Sequence, residues 1–232
     1  MTSDAKLGVV APLSADQWVD ADARQVADLA RSVQDAGVDS LWANDSLMRP
    51  RVDALTFLAI AATVTTTLGL GTAALLPALR RPVHTGHVLA TLDRLTAGRL
   101  TVAVGAGFPG VSEPEYAASA VPWKGRSRRL DETVRLWRHM WAAGAGVTDY
   151  RNGVIDIEGV PTGITPATPG GPPVWLAADT VSARRRAGLL YDGWLPYSPS
   201  TAQFAAGLAE VRTARRQGER DQDEVAAGLF VT

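Results

Sequence analysis

Short apolar runs alternate with segments of helical spacing along most of the chain. The runs predict β-strands at Leu7–Pro12, Ser40–Ala43, Leu68–Leu76, Leu100–Val104, Val174–Ala177, Gly193–Tyr197 and Val225–Val231. The segments between them, with apolar residues three or four positions apart, predict helices at Asp20–Ala36, Ala54–Val64 (N-capped by Asp53), Pro82–Leu95, Gly125–Trp141, Val181–Leu190 and Thr201–Arg216. Such alternation indicates an α/β fold with a parallel sheet, and its even units favour a TIM-type (β/α) barrel over a doubly wound sheet.

Two stretches break the pattern. Gly105–Pro122 is rich in Gly, Pro and Glu, which predicts a loop. Ala142–Pro173 is rich in Gly, Pro and Thr and contains an alternating piece at Val154–Ile157. We interpret it as an excursion, with a candidate small hairpin, from a single barrel domain spanning residues 1–232. A closed barrel needs an eighth strand, so we expect the last strand–helix portion to be lacking.

Composition excludes several classes of function. Of the 232 residues 46% are apolar, but no run approaches the roughly 18 residues of a spanning helix, and the N-terminus has no signal pattern. The absence of cysteine excludes disulfides, thiolate metal sites and a cysteine nucleophile. A net charge of −1 gives no reason to expect nucleic acid or an anionic membrane as partner. We expect a cytoplasmic protein that acts on a small molecule, with a homodimer as the candidate assembly.

The segment Leu68–Phe108 carries the most specific motifs. It contains Gly-Thr-Ala-Ala at 71–74, Ala-Thr-Leu-Asp-Arg-Leu-Thr-Ala-Gly-Arg-Leu at 90–100 and Val-Gly-Ala-Gly at 104–107. These motifs resemble the luciferase-like flavin monooxygenase family, which includes the F420-dependent oxidoreductases. Weaker agreement extends over nearly the whole chain, to the seventh predicted strand.

The resemblance implies a barrel that holds FMN or F420 at the C-terminal ends of its strands. It also implies a cis peptide between Ala73 and Ala74, lying against the flavin ring. From the resemblance and the strand-end positions we predict cofactor-binding residues at Asp45, Ser46, Thr72, Ala73, Ala74, Gly105, Gly107, Ala178, Asp179 and Thr180. Phe108 and Trp123, in the loop over the site, are candidates for lining an apolar substrate pocket.

Several of these residues have a second interpretation from the sequence alone. The Gly-Ala-Gly at 105–107 can be a tight turn, and Asn44–Ser46 can be an Asx turn or a helix cap. Thr180 can cap the helix that follows it, and its neighbour Asp179 would repel a phosphate. Trp175 and Trp194 suit either the barrel core or a pocket wall.

Other polar residues have mainly structural interpretations. Asp93, Arg94 and Arg99 surround a helix end, with Gly98 in the left-handed position. His84 and His87 lie three positions apart on an outer helix without a third ligand, so no metal site is predicted.

Two positions depart from the family pattern. Ser46 stands where relatives that use F420 for dehydrogenation often carry histidine, and Phe108 stands where some carry a carboxylate. No catalytic residue is therefore assigned, and sugar or alcohol oxidation is disfavoured. The sequence predicts an FMN- or F420-dependent oxidoreductase acting on an apolar organic substrate. The alternatives are a non-catalytic flavin-binding or degenerate barrel, and a barrel hydrolase with Asp45 and Asp179 as its carboxylate pair.

Overall fold

Seven parallel strands form one sheet in the structure, a computed structural model that describes residues 5–12, 18, 21–48, 51–142, 146–162, 165–218, 220 and 225–228. The strands are β1 Gly8–Val10, β2 Ser40–Ala43, β3 Gly69–Leu75, β4 Leu100–Val104, β7 Val174–Leu176, β8 Gly193–Trp194 and β9 Ala226–Ala227, paired in that order. An antiparallel hairpin, β5 Val147–Arg151 and β6 Asp156–Pro161, stands apart from the sheet.

Helices separate the parallel strands. They are α1 Ala23–Asp35, α2 Ala54–Val64, α3 Pro82–Leu95, α4 Glu113–Ala118, α5 Arg126–Ala142, α6 Val181–Leu190 and α7 Thr201–Gln217, with a 3₁₀ turn at Pro77–Leu79. The starts of α1, α2, α6 and α7 follow from capping side chains. Asp53 accepts a hydrogen bond from the backbone N–H of Thr56 at 2.9 Å, which confirms the predicted cap of α2. Asp22 and Ser200 form capping boxes at α1 and α7.

Two tryptophans show that the sheet curls into a barrel. Trp42 on β2 and Trp175 on β7 have ring centroids 5.6 Å apart, although β3 and β4 lie between their strands. In a flat sheet, strands separated in this way would be about 14 Å apart. The two rings therefore meet across the concave face, and Trp175 belongs to the barrel interior.

Glycines make room for these rings. A Cβ on Gly71 would lie 2.3 Å from Trp42 Cε3, and one on Gly193 would lie 2.5 Å from Trp175 Cδ1. Large and small residues on neighbouring strands thus fill the interior jointly. Trp194 is instead fully buried and stacks on Phe204 of α7 at 5.5 Å, so it belongs to the core between sheet and helices.

The segments predicted as irregular differ from expectation in two places. The predicted loop Gly105–Pro122 contains α4, whose first turn holds Pro114 and two glutamates, favourable residues at a helix start. The excursion at Ala142–Pro173 does contain a hairpin. Its alternating piece at Val154–Ile157, however, lies half in the turn before β6 begins at Asp156.

The reason for that correction is local hydrogen bonding. Asn152 Oδ1 accepts from the N–H groups of Val154 and Ile155 at 2.9 and 2.8 Å, and Asp156 Oδ1 accepts from that of Gly153 at 3.1 Å. These bonds fix a turn where alternation alone indicated a strand. Elsewhere, Asp20 and residues 229–231, parts of a predicted helix and strand, lie outside the described residues.

Two predictions within Leu68–Phe108 are confirmed. The first is the Ala73–Ala74 peptide, which is cis. At the same place the β3–β4 register is irregular between Thr72 and Leu75, which the sequence did not indicate. The charges at the end of α3 are structural: Asp93 is fully buried and accepts from Thr168 N–H at 2.7 Å. Arg99 donates to the Thr65 carbonyl at 2.9 Å, which ties the start of β4 to the loop before β3.

Candidate functional site

Small residues meet where β3, β4 and β7 end. A Cβ built on Gly105 would lie 3.5 Å from Ala74 Cβ and 3.6 Å from the Ala177 carbonyl oxygen. Backbone bonds hold these strand ends together, since Gly105 N–H donates to Leu75 at 2.9 Å and Ala177 N–H donates to Val104 at 2.8 Å. We call Ala73, Ala74, Gly105 and Ala177 the floor. The structure therefore brings together three of the predicted residues, Ala73, Ala74 and Gly105.

A buried acceptor without a partner lies at the neighbouring strand end. Asn44 follows β2, two positions after Trp42. Because residues two positions apart along a strand face the same side of the sheet, the Asn44 side chain lies on the inner face with Trp42. Its Oδ1 atom is buried and accepts no hydrogen bond in the structure. A buried carbonyl oxygen of this kind normally has a donor, so this atom is suited to receive one from a ligand.

Asp45 braces the loop after β2. Its carboxylate accepts from Leu76 N–H at 3.1 Å and from Arg80 Nη2 at 2.8 Å, and its side chain is only 4% exposed. Arg80 also donates to Asp53 Oδ2 at 2.6 Å. Burial raises the pKa of Asp45 above its usual range, and the charge of Arg80 only partly opposes the shift. The structure thus gives Asp45 a bracing role.

Asp53 is the second carboxylate paired with Arg80, and its pKa is shifted in the opposite direction. Burial would raise the pKa of Asp53, but hydrogen bonds from Thr56 N–H and Arg80 outweigh it, so the pKa is lowered. One guanidinium therefore links the loop after β2, the start of α2 and the turn after β3.

Glu115 of α4 is a buried residue that sequence reasoning missed. It is 3% exposed, and its Oε1 accepts from Ser46 Oγ, from Leu47 N–H at 2.8 Å and from Met48 N–H at 3.4 Å. The Ser46 partner is 69 positions away, so sequence spacing could not reveal the contact. The available signal was the Ser-Glu-Pro-Glu run at 112–115, which indicates a helix start rather than a site.

The next residue of α4 holds a second loop. Tyr116 O–H donates to the Ala106 carbonyl at 2.9 Å, and burial raises the pKa of this tyrosine. Gly107 has φ +81°, and a Cβ there would lie 2.7 Å from Ser112 Cβ. The Gly-Ala-Gly segment is thus both a tight turn and part of the strand-end rim, with α4 packed against it.

The predicted substrate-pocket residues lie in different surroundings. Phe108 is 59% exposed and makes an edge contact with Tyr197, at 5.7 Å between centroids. Trp123 is half-buried, contacts the edge of Tyr116 at 4.9 Å and lies under the Arg126 guanidinium. The structure does not place Trp123 against Phe108, and its pocket role stays a prediction.

Exposed apolar side chains concentrate on this face of the barrel. Nine large hydrophobic residues are exposed in the described part of the chain: Leu7, Leu47, Met48, Leu95, Phe108, Val111, Val147, Val181 and Tyr197. Five of them, which we call the apolar rim, follow the C-terminal ends of β2, β4 and β8: Leu47, Met48, Phe108, Val111 and Tyr197. Exposed apolar residues gathered at one place favour a binding surface for apolar matter.

Predicted residues after β7 are engaged in local contacts. The Ala178 carbonyl accepts from Trp194 Nε1 at 2.8 Å, and Asp179 pairs with Arg184 at 2.9 Å. Thr180 caps α6 by accepting from Ala183 N–H at 3.2 Å. The capping interpretation of Thr180 is therefore the one that the structure displays, and cofactor contact by these three residues stays a prediction.

Thr72 lies on the other side of its strand from the barrel interior. It follows Gly71, which faces Trp42, and it is fully buried. Its hydroxyl donates to the Ala103 carbonyl at 2.7 Å. Any contact of Thr72 with a ligand would have to use its backbone.

No group of three or more potential metal-ligating side chains occurs among the described residues. His84 and His87 are both exposed on α3. Within the same described part of the chain, every helix is too short or too polar to cross a bilayer.

Comparison with known proteins assigns the family. A sequence model described as luciferase-like monooxygenase matches residues 5–232. The chain belongs to the luciferase-like monooxygenase family. An F420-dependent glucose-6-phosphate dehydrogenase of Mycolicibacterium smegmatis is 29% identical to it over 237 residues, which cover 96% of this chain and 67% of that protein.

Solved structures agree on the luciferase-like fold. Monooxygenase RslO1 from Streptomyces bottropensis superposes with a TM-score of 0.83 at 21% identity, covering 97% of this chain and 70% of that one. Riboflavin lyase RcaE, solved with modified FMN and riboflavin, gives 0.82 at 19% identity, covering 97% and 61%. The fold is therefore a TIM-barrel type, of which this chain contains seven strands in its described residues.

Proposed function

We propose that this protein is an oxidoreductase that binds F420 or FMN over the floor and acts on an apolar organic substrate. Family membership and the F420-dependent relative support a flavin or deazaflavin cofactor. The modified FMN in the riboflavin lyase structure is the reason for proposing FMN as well as F420. The observation that carries the proposal is the floor of small residues beside the unpartnered Asn44 Oδ1.

The residues present fit a flat tricyclic ring. Ala74 and Gly105 put no bulky side chain at the strand ends, so a planar group can approach the backbone closely. Asn44 Oδ1 can accept from a ring N–H group. Bound there, F420 or FMN supplies the redox chemistry, while the protein supplies binding and orientation.

The protein's own residues then have separate tasks. Asp45 and Arg80 keep the loop after β2 in place. Phe108 and Tyr197 offer apolar surface for the substrate and shield the site from water.

The test is a side-by-side titration of the purified protein with FMN and with F420. We expect the fluorescence of one cofactor to be quenched on binding. No change with either at high micromolar concentration would refute the proposal. Cofactor binding without turnover of any reductant or organic substrate would favour the non-catalytic alternative.

A further inference from the structure

Ser46 is oriented by Glu115. The Ser46 hydroxyl hydrogen-bonds Glu115 Oε1, the same oxygen that accepts from Leu47 N–H at 2.8 Å. A carboxylate that already accepts from backbone N–H groups is the acceptor in its bond with serine, so serine is the donor. The single hydroxyl proton of Ser46 is thereby donated to Glu115.

Once its hydroxyl proton is bonded to Glu115, the Ser46 Oγ atom has only lone pairs to offer a ligand. Its oxygen can then accept a hydrogen bond from a ligand but cannot give one. Ser46 is half-buried, whereas Glu115 is 3% exposed, so a ligand reaches the serine and not the carboxylate. The apolar rim residues Leu47 and Met48 follow it directly, which puts a polar acceptor at an apolar surface.

We infer that Ser46 is a specificity residue that selects a hydrogen-bond donor, and that Glu115 is its positioning residue. The donor is an O–H or N–H group, from either the hydroxyl of an apolar substrate or the ring of the cofactor. This inference rests on the proposed function, because it gives Ser46 a ligand at the site described above.

Discrimination between a donor ligand and its acceptor-only counterpart is the property to measure. Cyclohexanol and cyclohexanone serve as probes, since they share a ring and differ in offering a hydroxyl or a carbonyl. Calorimetric titration of each, with and without saturating cofactor, gives the affinity ratio. The cofactor affinity of each variant is measured separately.

Ser46→Ala removes the acceptor but leaves the backbone bonds of Leu47 to Glu115. If the substrate is the donor, cyclohexanol should bind about fivefold more weakly, while cyclohexanone and the cofactor should bind as before. If the cofactor ring is the donor, cofactor binding should weaken about fivefold instead. The inference would be overturned if Ser46→Ala bound cyclohexanol and the cofactor as tightly as wild type does. Equal weakening of cyclohexanol and cyclohexanone binding would also overturn it.

Glu115 is tested by two substitutions. Glu115→Gln keeps an oxygen where the three donors converge, so the alcohol-to-ketone affinity ratio should stay within about twofold of the wild-type ratio. Glu115→Ala releases the serine hydroxyl proton. The alcohol-to-ketone affinity ratio should therefore fall about fivefold if the substrate is the donor, whereas cofactor affinity should fall instead if the cofactor ring is the donor. A loss of discrimination in Glu115→Gln as large as in Glu115→Ala would contradict positioning by hydrogen bonding.

Controls separate these effects from others. Glu158→Ala removes a surface carboxylate of the hairpin, whose side chain is 78% exposed, and should leave the ratio unchanged. Thermal unfolding identifies a misfolded variant, and Ser46→Ala keeps the inference testable if Glu115→Ala does not fold. Absence of cofactor binding in wild type with an intact probe ratio would refute the proposed function and not this inference.

Discussion

The two sides of the barrel mouth are held in different ways. After β2, β3 and β4, the loops are fixed by buried polar groups: the Asp45 side chain is 4% exposed, and Glu115 is 3% exposed. After β7, Asp179 pairs with Arg184 at the surface, and Thr180 caps a helix. Breaking a buried polar network leaves polar groups unpaired away from water, which costs much free energy, whereas the groups of a surface pair can bond to water instead. The loops of the first side are therefore held by buried contacts, whereas the second side is a conventional strand–helix junction.

The largest expected effect comes from breaking the buried pair. Arg80→Met leaves the buried Asp45 carboxylate without its cation, so the free energy of unfolding should fall by about 3 kcal/mol or more. Chemical denaturation measures it.

The matched change on the other side is Arg184→Met. Its partners Asp179 and Glu210 have side chains 36% and 48% exposed. We expect a loss below about 1 kcal/mol. Equal losses in the two variants would remove the contrast between the sides.

A smaller effect should follow from Tyr116→Phe. It deletes the hydrogen bond to the Ala106 carbonyl and should lower the free energy of unfolding by about 1 kcal/mol. Because Ala106 lies between Gly105 and Gly107, cofactor affinity should weaken as well. Tyr150→Phe is the control: its hydroxyl contacts Asn152 in the hairpin, so cofactor affinity should not change. A shift in both variants would argue against a specific role for α4.

The smallest effect is a pH dependence. The pKa of Asp45 is raised above 3.8 in the folded protein, so its ionisation is less favourable there than in the unfolded chain. The stability of wild type relative to Asp45→Asn should therefore fall as pH rises above 3.8 through the folded pKa. Urea unfolding at a series of pH values measures this difference.

Asp53 should show the reverse. Its pKa is lowered below 3.8, so the stability of wild type relative to Asp53→Asn should decline as pH falls below that value. The same slope in both series would contradict the assignment of Asp45 as the more strongly desolvated partner of Arg80.

The sequence predicted what depends on local pattern. Helix α2 and strands β2 and β4 have their predicted bounds, and the motif residues placed Ala74 and Gly105 at one strand-end surface. The helix and strand bounds follow from hydrophobic periodicity, and the position of Ala74 and Gly105 follows from the family motifs in Leu68–Phe108. Helix α4 was not predicted, because its six residues are too few to show a helical period and they lie in a segment rich in Gly, Pro and Glu.

Contacts between distant residues could not be predicted. The Glu115 bond to Ser46 spans 69 positions, and the Arg80 bond to Asp45 spans 35. Both need the barrel to bring loop ends together. Sequence reasoning accordingly gave Asp45 as a ligand residue, whereas its observed side-chain partner is Arg80. The cap by Thr180 is local, and it was one of the two interpretations that the sequence offered.

In the proposed function, the ring of F420 or FMN binds over the floor. Gly105→Leu tests it most directly, because its side chain would project from a position 3.5 Å from Ala74 Cβ, over the floor. Titrating wild type and this variant with both cofactors, we expect wild type to quench one of them and the folded variant to bind it at least about tenfold more weakly. Equal affinity in a folded Gly105→Leu protein would show that the cofactor ring does not bind over the floor.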